Sequence, residues 1–266
     1  MSKNIGIFDS GIGGFWLLSE LRKKMPDFEF HYFADSGYAP WGGLSESGVL
    51  ERSEAITDFL VSKGCENIVV ACNTATSQCI SHLRSKYSQR FFGIEPAIKP
   101  AGLATKTGSI GLLATDGTLN SERVRVLISK YSANAKVELL GFPGVVELIE
   151  GGESISKEEV SETIDAILNK FREKNVDTIV LGCTHYRYFY EAITQKAANE
   201  FNIVEPVKNV AKHIANQLSS FDKSHANDND GNVYIYTSSK DLSVINKYVK
   251  FMFSGNLPQV EYIVGV

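Results

Sequence analysis

The stretch Ile68–Thr76, IVVACNTAT, restricts the folds open to this chain more than any other. An apolar, largely β-branched run that stops at a thiol, an amide and hydroxyls has the pattern of a buried parallel strand whose last residues enter a site. Ile179–Tyr186, IVLGCTHY, repeats the pattern, running into Cys183 and then Thr184 and His185. Cys72 and Cys183 stand 111 residues apart, and the strand-like IGIFDSG at Ile5 and IGLLATDGT at Ile110 stand 105 apart. The spacing predicts a duplicated plan, each half an α/β layer that binds ligands at the carboxyl ends of its strands. Two such layers facing each other across a cleft would present the two thiols to opposite sides of one ligand, a geometry suited to moving a proton through a carbon.

With 266 residues, 43% hydrophobic and 22% charged, the chain has the balance of a globular protein with one large core or two smaller ones. Its net charge of −4 comes with no long basic run, which argues against a nucleic-acid or anionic-membrane partner. The four residues before IGIFDSG leave no room for a signal-peptide core, and no apolar run approaches the ~20 residues of a membrane span, so a cytoplasmic protein is expected. Cys65, Cys72, Cys79 and Cys183 form no CxxC pair, and a disulfide framework is not expected. Cys65 and Cys79 read as core fillers. The five histidines show no ligand spacing, so no metal site is expected either.

Taken in order, the chain alternates strand and helix signals. IGIFDSGIGGF runs from an apolar strand into Asp9, Ser10 and a glycine turn, and LLSELRKKM then reads as an amphipathic helix. Backbone N–H groups at such a turn suit a bound carboxylate or phosphate, although G-I-G-G-F-W does not complete a dinucleotide fingerprint. FEFHYFADS is a strand, GYAPWGGLSES a loop without regular period, and 45–63 a helix burying Val49, Ile56, Phe59 and Leu60. A further helix is expected over 77–87. A domain boundary is expected at FFGIEPAIKPA, giving a first domain of 1–96 plus 207–266 and a second of 97–206. The second half repeats strand, polar turn and helix through IVLGCTHY, after which a helix over 208–220, a polar loop over 223–232, and a strand and helix in VYIYTSS and LSVINKYVKFMF return to the first half.

The set FDSGIGG, APWG, VVACNTA, GIEPAIKPA, ATDGTLNS and LGCTHY, in this order between residues 8 and 186, closely resembles the glutamate racemases of the aspartate/glutamate racemase superfamily. The resemblance covers about two-thirds of the chain. It implies two similar three-layer α/β domains with mainly parallel sheets facing each other across a cleft, and racemisation of L- and D-glutamate by two cysteines without a cofactor, supplying D-glutamate for peptidoglycan. A thiol with a pKa near 8.5 serves as acid or base, so the residue type agrees with the chemistry. By the resemblance, Cys72 acts on the D-enantiomer with help from Asp9, and Cys183 on the L-enantiomer with help from His185 and Glu150. Asp9, Ser10, Asn73, Thr74, Thr115, Thr118, Thr184 and His185 are expected around the substrate with the two thiols, together with the backbone of Pro40, Trp41 and Gly42. No metal is expected, the substrate is the small-molecule partner, and a homodimer is compatible with the resemblance.

Other readings stay open for single residues: Asp9 as a helix cap, His185 as a structural histidine, and Glu150 as a helix end. The chain departs from the family pattern at Trp41, Leu44, Phe142 and Arg187, all expected beside the cleft, which leaves aspartate, another amino acid or a hydantoin as alternative substrates. A non-catalytic amino-acid-binding protein is the remaining alternative.

Overall fold

Short apolar runs bounded by polar turns can bury both faces only in a sheet covered by helices on both sides, and the chain does this twice. The computed structural model describes residues 3–132, 134–142, 144–151, 156–197, 199–219, 232–253 and 257–266. In the first half β1 (Asn4–Asp9), β2 (Glu29–Ala34), β3 (Asn67–Val70) and β4 (Arg90–Gly93) alternate with α1 (Phe15–Lys24), α2 (Glu46–Ser62) and α3 (Asn73–Lys86). α4 (Ile98–Ala104) leads to β5 (Ser109–Ala114), α5 (Asp116–Leu119), α6 (Glu122–Tyr131), β6 (Lys136–Gly141) and α7 (Val145–Glu150). There follow α8 (Lys157–Arg172), β7 (Thr178–Leu181), α9 (Tyr190–Ala197) and β8 (Asn202–Val204). The chain closes with α10 (Val207–Ser219), β9 (Val233–Thr237), α11 (Ser243–Met252) and β10 (Val260–Tyr262).

All strand pairs are parallel, in two sheets of order β10-β9-β2-β1-β3-β4 and β6-β5-β7-β8. The duplication read from the spacing is therefore a duplication of topology: β2-β1-β3-β4 and β6-β5-β7-β8 are the same order. The register repeats it as well. Phe8 pairs with Val70 and Leu113 with Leu181, so the 105- and 111-residue offsets hold together within one strand pair. Both C-terminal strands, β9 read from VYIYTSS and the unanticipated β10, add to the first sheet. The result is an α/β fold of two parallel sheets.

Each sheet is the middle of three layers. Along β1, Ile5 and Ile7 enter one buried cluster with Leu17, Leu18 and Leu21 of α1, while Phe8 enters another with Val49, Ile56 and Leu60 of α2. Along β7, Val180 and its neighbours Ile179 and Leu181 divide between two clusters in the same way. This is the period-2 alternation of a strand covered on both faces. Cys65 and Cys79 are buried in the cluster beneath α2.

Three local expectations differ from what is observed. The helix expected from Ser77 starts at Asn73, with Cys72 as its N-cap residue. Asn73, Thr74 and Thr76 read as a strand end in the sequence, yet a first helical turn has free N–H groups and accommodates short polar side chains; there the Thr76 hydroxyl donates to the Val70 carbonyl at 3.1 Å. The loop after β2 contains two 3₁₀ turns, Ser36–Tyr38 and Trp41–Gly43, around a cis Ala39–Pro40 peptide. β10 follows a stretch with no strand signal of its own and forms by pairing with β9. Residues 223–231 of the polar stretch lie outside the described residues. Among those described, no helix is long and apolar enough to cross a membrane, and no group of three or more His, Cys, Asp or Glu is placed to hold a metal ion.

Candidate active site

Cys72 is the second residue beyond β3 and Cys183 the second beyond β7. Both thiols line one small cavity between the sheets, together with Ser10, Asn73 and Thr74 from the first and Thr115, Thr184 and His185 from the second. Pro40, Trp41 and Gly42 close one wall and Val146 of α7 adds to the lining. The cavity measures about 10 Å³. It adjoins a second cavity of about 120 Å³, with which it shares Pro40, Gly42, Thr115 and Val146.

Of the remaining expected residues, Asp9, Glu150 and Thr118 stand one layer behind this lining. Asp9 is fully buried at the end of β1. Its Oδ2 accepts the Gly14 N–H at 2.6 Å and the Thr184 hydroxyl at 3.2 Å, so a carboxylate of the first sheet is tied to the residue after Cys183. Burial raises its pKa, and the nearby Glu150 adds to this, against His185 and the N–H groups of Gly14 and Ser10. Burial also pushes the Cys72 thiol up to about 12, with the charge of Asp9 adding and the Ala75 N–H and Ser10 hydroxyl opposing. Cys72 therefore keeps its proton at neutral pH, with its Sγ 3.8 Å from Ser10 Oγ. The carboxylate beside it is a stronger base than an exposed aspartate.

The second thiol has a different partner. His185 is buried beside Cys183, and its Nε2 lies 2.6 Å from Glu150 Oε1. Burial alone would lower its pKa; hydrogen bonds to Cys183 and to Glu150 outweigh that and raise it well above the ordinary value. The raised pKa favours the imidazolium form of the ring, whose Nε2–H would donate to Glu150. The Glu150 carboxylate also accepts the Ile12 N–H at 2.7 Å and the Ser36 hydroxyl at 2.8 Å. Hydrogen bonds to a charged acceptor contribute about 1.5–3 kcal/mol each, so three donors offset the several kcal/mol that burying a carboxylate costs.

These bonds correct one expectation. The N–H groups of the glycine turn, which suit an external anion, are taken by the chain's own carboxylates: Ile12 donates to Glu150 and Gly14 to Asp9. The turn packs too closely for a side chain. A Cβ on Gly13 would lie 2.5 Å from Thr184 Oγ1, 2.7 Å from His185 Nδ1 and 2.9 Å from Asp9 Oδ2. The absent side chain lets Asp9, His185 and the Thr184 hydroxyl gather at one point.

The polar side of the cavity is a set of hydroxyls. Thr74 Oγ1 lies 2.9 Å from Thr115 Oγ1 and 3.3 Å from Thr118 Oγ1, and the latter two are 3.0 Å apart. Thr118 thus holds the two lining hydroxyls. Asn73 Oδ1 is buried with no hydrogen-bond partner among the described residues. The Trp41 side chain is buried in one cluster with Phe8 and Cys72, and its Nε1–H donates to Asp35 at 3.0 Å. Asp35 is also gripped by Arg52 at 2.9 and 2.6 Å. The Trp41 departure therefore touches both the core behind the loop and the cavity wall. Two further departures lie away from the cleft, contrary to expectation. Leu44 packs on the α2 cluster, and the Arg187 guanidinium sits over the rings of Trp16 and Tyr190, 4.5 and 4.3 Å from their centroids. Phe142 lines a neighbouring cavity of about 120 Å³ with Asp116, Glu147 and Tyr186.

Ser36, the Ile12 peptide, Asp35 and Arg52 were missed by the sequence reading. A signal for Ser36 exists: β2 runs into Asp35-Ser36 as β1 runs into Asp9-Ser10. The Ile12 peptide carries none, because its role belongs to its backbone. A larger cavity of about 630 Å³ lies where the chain crosses between the sheets, around Glu95, Pro96, Pro206 and His213; neither thiol borders it.

Comparison with known proteins agrees with this geometry. Residues 20–214 match the family model of Asp/Glu/Hydantoin racemase. The glutamate racemase of Herpetosiphon aurantiacus is 38% identical over 88% of this chain and 92% of its own, and that of Clostridium perfringens is 34% identical over 91% and 93%. The crystal structure of Escherichia coli glutamate racemase in complex with L-glutamate and the activator UDP-MurNAc-Ala superposes with a TM-score of 0.84 at 29% identity, covering 99% of this chain and 98% of that one. Matched by the family model over 20–214 and by glutamate racemases at 34–38% identity over most of its length, the chain belongs to the Asp/Glu/hydantoin racemase family, among its glutamate racemases.

Proposed function

We propose that the protein interconverts L- and D-glutamate, without a cofactor, by two-base proton transfer at Cα, and that this supplies D-glutamate for peptidoglycan in the cytoplasm. The reading rests above all on one observation: Cys72 and Cys183, at equivalent strand ends of two facing sheets, line the same cavity. In the L-to-D direction the Cα–H bond breaks as Cys183 takes the proton, and a new Cα–H bond forms on the opposite face as Cys72 gives up the proton it holds. The D-to-L direction reverses the roles, Asp9 then accepting the Cys72 proton. The His185 imidazolium supports charge changes at Cys183, while Ser10, Asn73, the threonine hydroxyls and the 40–42 backbone hold the substrate's ammonium and carboxylates. A charge-matched, closed site strengthens each of these contacts once water is excluded. The two units expected from the sequence, 1–96 with 207–266 and 97–206, are the bodies that would part to admit glutamate.

Chiral chromatography of purified protein incubated with L-glutamate and no additive tests this. An equal mixture of enantiomers at equilibrium is expected, reached also from D-glutamate. Conversion of aspartate in preference to glutamate, dependence on added pyridoxal phosphate, or loss of activity on dialysis against a chelator would overturn the reading.

A further inference from the structure

The Glu150 carboxylate is assembled from both halves of the molecule. Glu150 ends α7, between β6 and β7 of the second sheet, and His185 follows β7. Two of its three donors come from the first sheet: Ile12 in the turn after β1, to Oε1 at 2.7 Å, and Ser36 just beyond β2, to Oε2 at 2.8 Å. The contact is close, since a Cβ on Gly11 would stand 1.8 Å from Glu150 Oε1. The other side of the Ile12 peptide is held from the second half too, its carbonyl accepting the Tyr188 hydroxyl at 3.0 Å. The two halves of the molecule thus meet at this carboxylate, with Ser36 the donor to Oε2.

We propose that Ser36 is a positioning residue: its hydroxyl fixes Oε2 of Glu150, the oxygen that Ile12 and His185 leave free, so that the His185–Glu150 pair is aligned beside Cys183. This deepens the proposed racemase reading and rests on it. Ser36 touches neither thiol nor the cavity lining. It acts through Glu150 alone, and the carboxylate oxygen shared by Ile12 and His185 is left to pivot when the Ser36 bond is lost. Uniform substrate binding does not depend on that bond, whereas turnover does.

The test is a double-mutant cycle on the full chain, with kcat and KM for both enantiomers and melting temperature for each variant. Ser36→Ala should lower kcat about tenfold, as expected for loss of one hydrogen bond to a charged group, with KM within about threefold and the protein still folded at the assay temperature. Ser36→Thr, which keeps the hydroxyl, should retain the wild-type kcat. In a Glu150→Gln background Ser36→Ala should lower kcat by less than about twofold, because the residue it acts through is already altered. An unchanged kcat in Ser36→Ala, an equal loss in Ser36→Thr, or full additivity with Glu150→Gln would overturn the role of Ser36 and leave the racemase reading standing; a wild-type protein inactive on every acidic amino acid would overturn both.

Discussion

Cys183 holds in the second sheet the place that Cys72 holds in the first. Leu113 pairs with Leu181 as Phe8 pairs with Val70, and each thiol follows two residues beyond its strand. The same offsets carry Ser10 onto Thr115 and Thr74 onto His185, so the lining is quasi-symmetric. The helpers are not: Asp9 corresponds to Ala114, and the second half draws its carboxylate, Glu150, from α7. Two equivalent thiols with unequal assistance suit a reaction whose two faces are mirror images but whose protein surroundings are not.

Cys72→Ala and Cys183→Ala should each lower racemisation by several orders of magnitude while the protein stays folded, because the missing proton carrier has no substitute on its face. The equilibrium constant between enantiomers is fixed at one, so kcat/KM must fall by the same factor in both directions. Polarimetric rates from L- and D-glutamate, with near-ultraviolet circular dichroism as the check on folding, decide this. Near-normal activity in either variant removes that cysteine from the mechanism.

Asp9→Asn should gain stability relative to wild type as pH rises. Burial raises the folded-state pKa of Asp9 above the ordinary 3.8, so above pH 3.8 the native state binds more protons than the unfolded one, and wild-type stability falls with rising pH until the folded pKa is passed. Asparagine carries no such slope. Urea unfolding of both proteins between pH 4 and neutrality should therefore show the difference moving in favour of the variant, whatever constant offset the lost contacts add. A difference independent of pH would contradict a carboxylate kept ionised at a cost for its part in catalysis.

His185 should remain an imidazolium through neutral pH, and Glu150→Gln should bring its titration down toward the ordinary 6.5. The folded pKa is raised, so the stabilisation from this group is complete below 6.5 and is lost as pH rises through the folded pKa. Nitrogen-15 spectra of the ring give the result directly: both ring nitrogens protonated at pH 7.5 in wild type, one deprotonated in a sizeable fraction of the variant. A neutral ring in wild type at that pH would remove the charge placed beside Cys183.

Much of this was legible in the residues. Apolar runs ending in Cys72 and Cys183, and offsets of 105 and 111, are enough to infer a duplicated parallel α/β plan, because parallel strands covered on both faces leave uninterrupted β-branched stretches; the strand order within each copy is not written in them. The start of α3 was not legible, since Asn73 and Thr74 suit a strand end, a turn or a first helical turn alike. Nor was the partnership of Glu150 with Ile12, a backbone donor 138 residues away that leaves no side-chain signature. Trp41 shows the converse. Its chemistry suggested a changed pocket wall, and only the three-dimensional course of the loop turns the indole onto Asp35.

The central claim, two thiols on opposite faces of one carbon, is tested most directly by turnover of L-glutamate in deuterium oxide, with mass spectrometry of the separated enantiomers in the first few per cent of conversion. Cys72, exchanged with solvent beforehand, should deliver deuterium to every D-glutamate formed, while the remaining L-glutamate stays unlabelled, because the hydrogen on Cys183 returns to the face it left. Substantial unlabelled D-glutamate at early conversion would mean that one group carries the original hydrogen from face to face, and would contradict the opposed-thiol site.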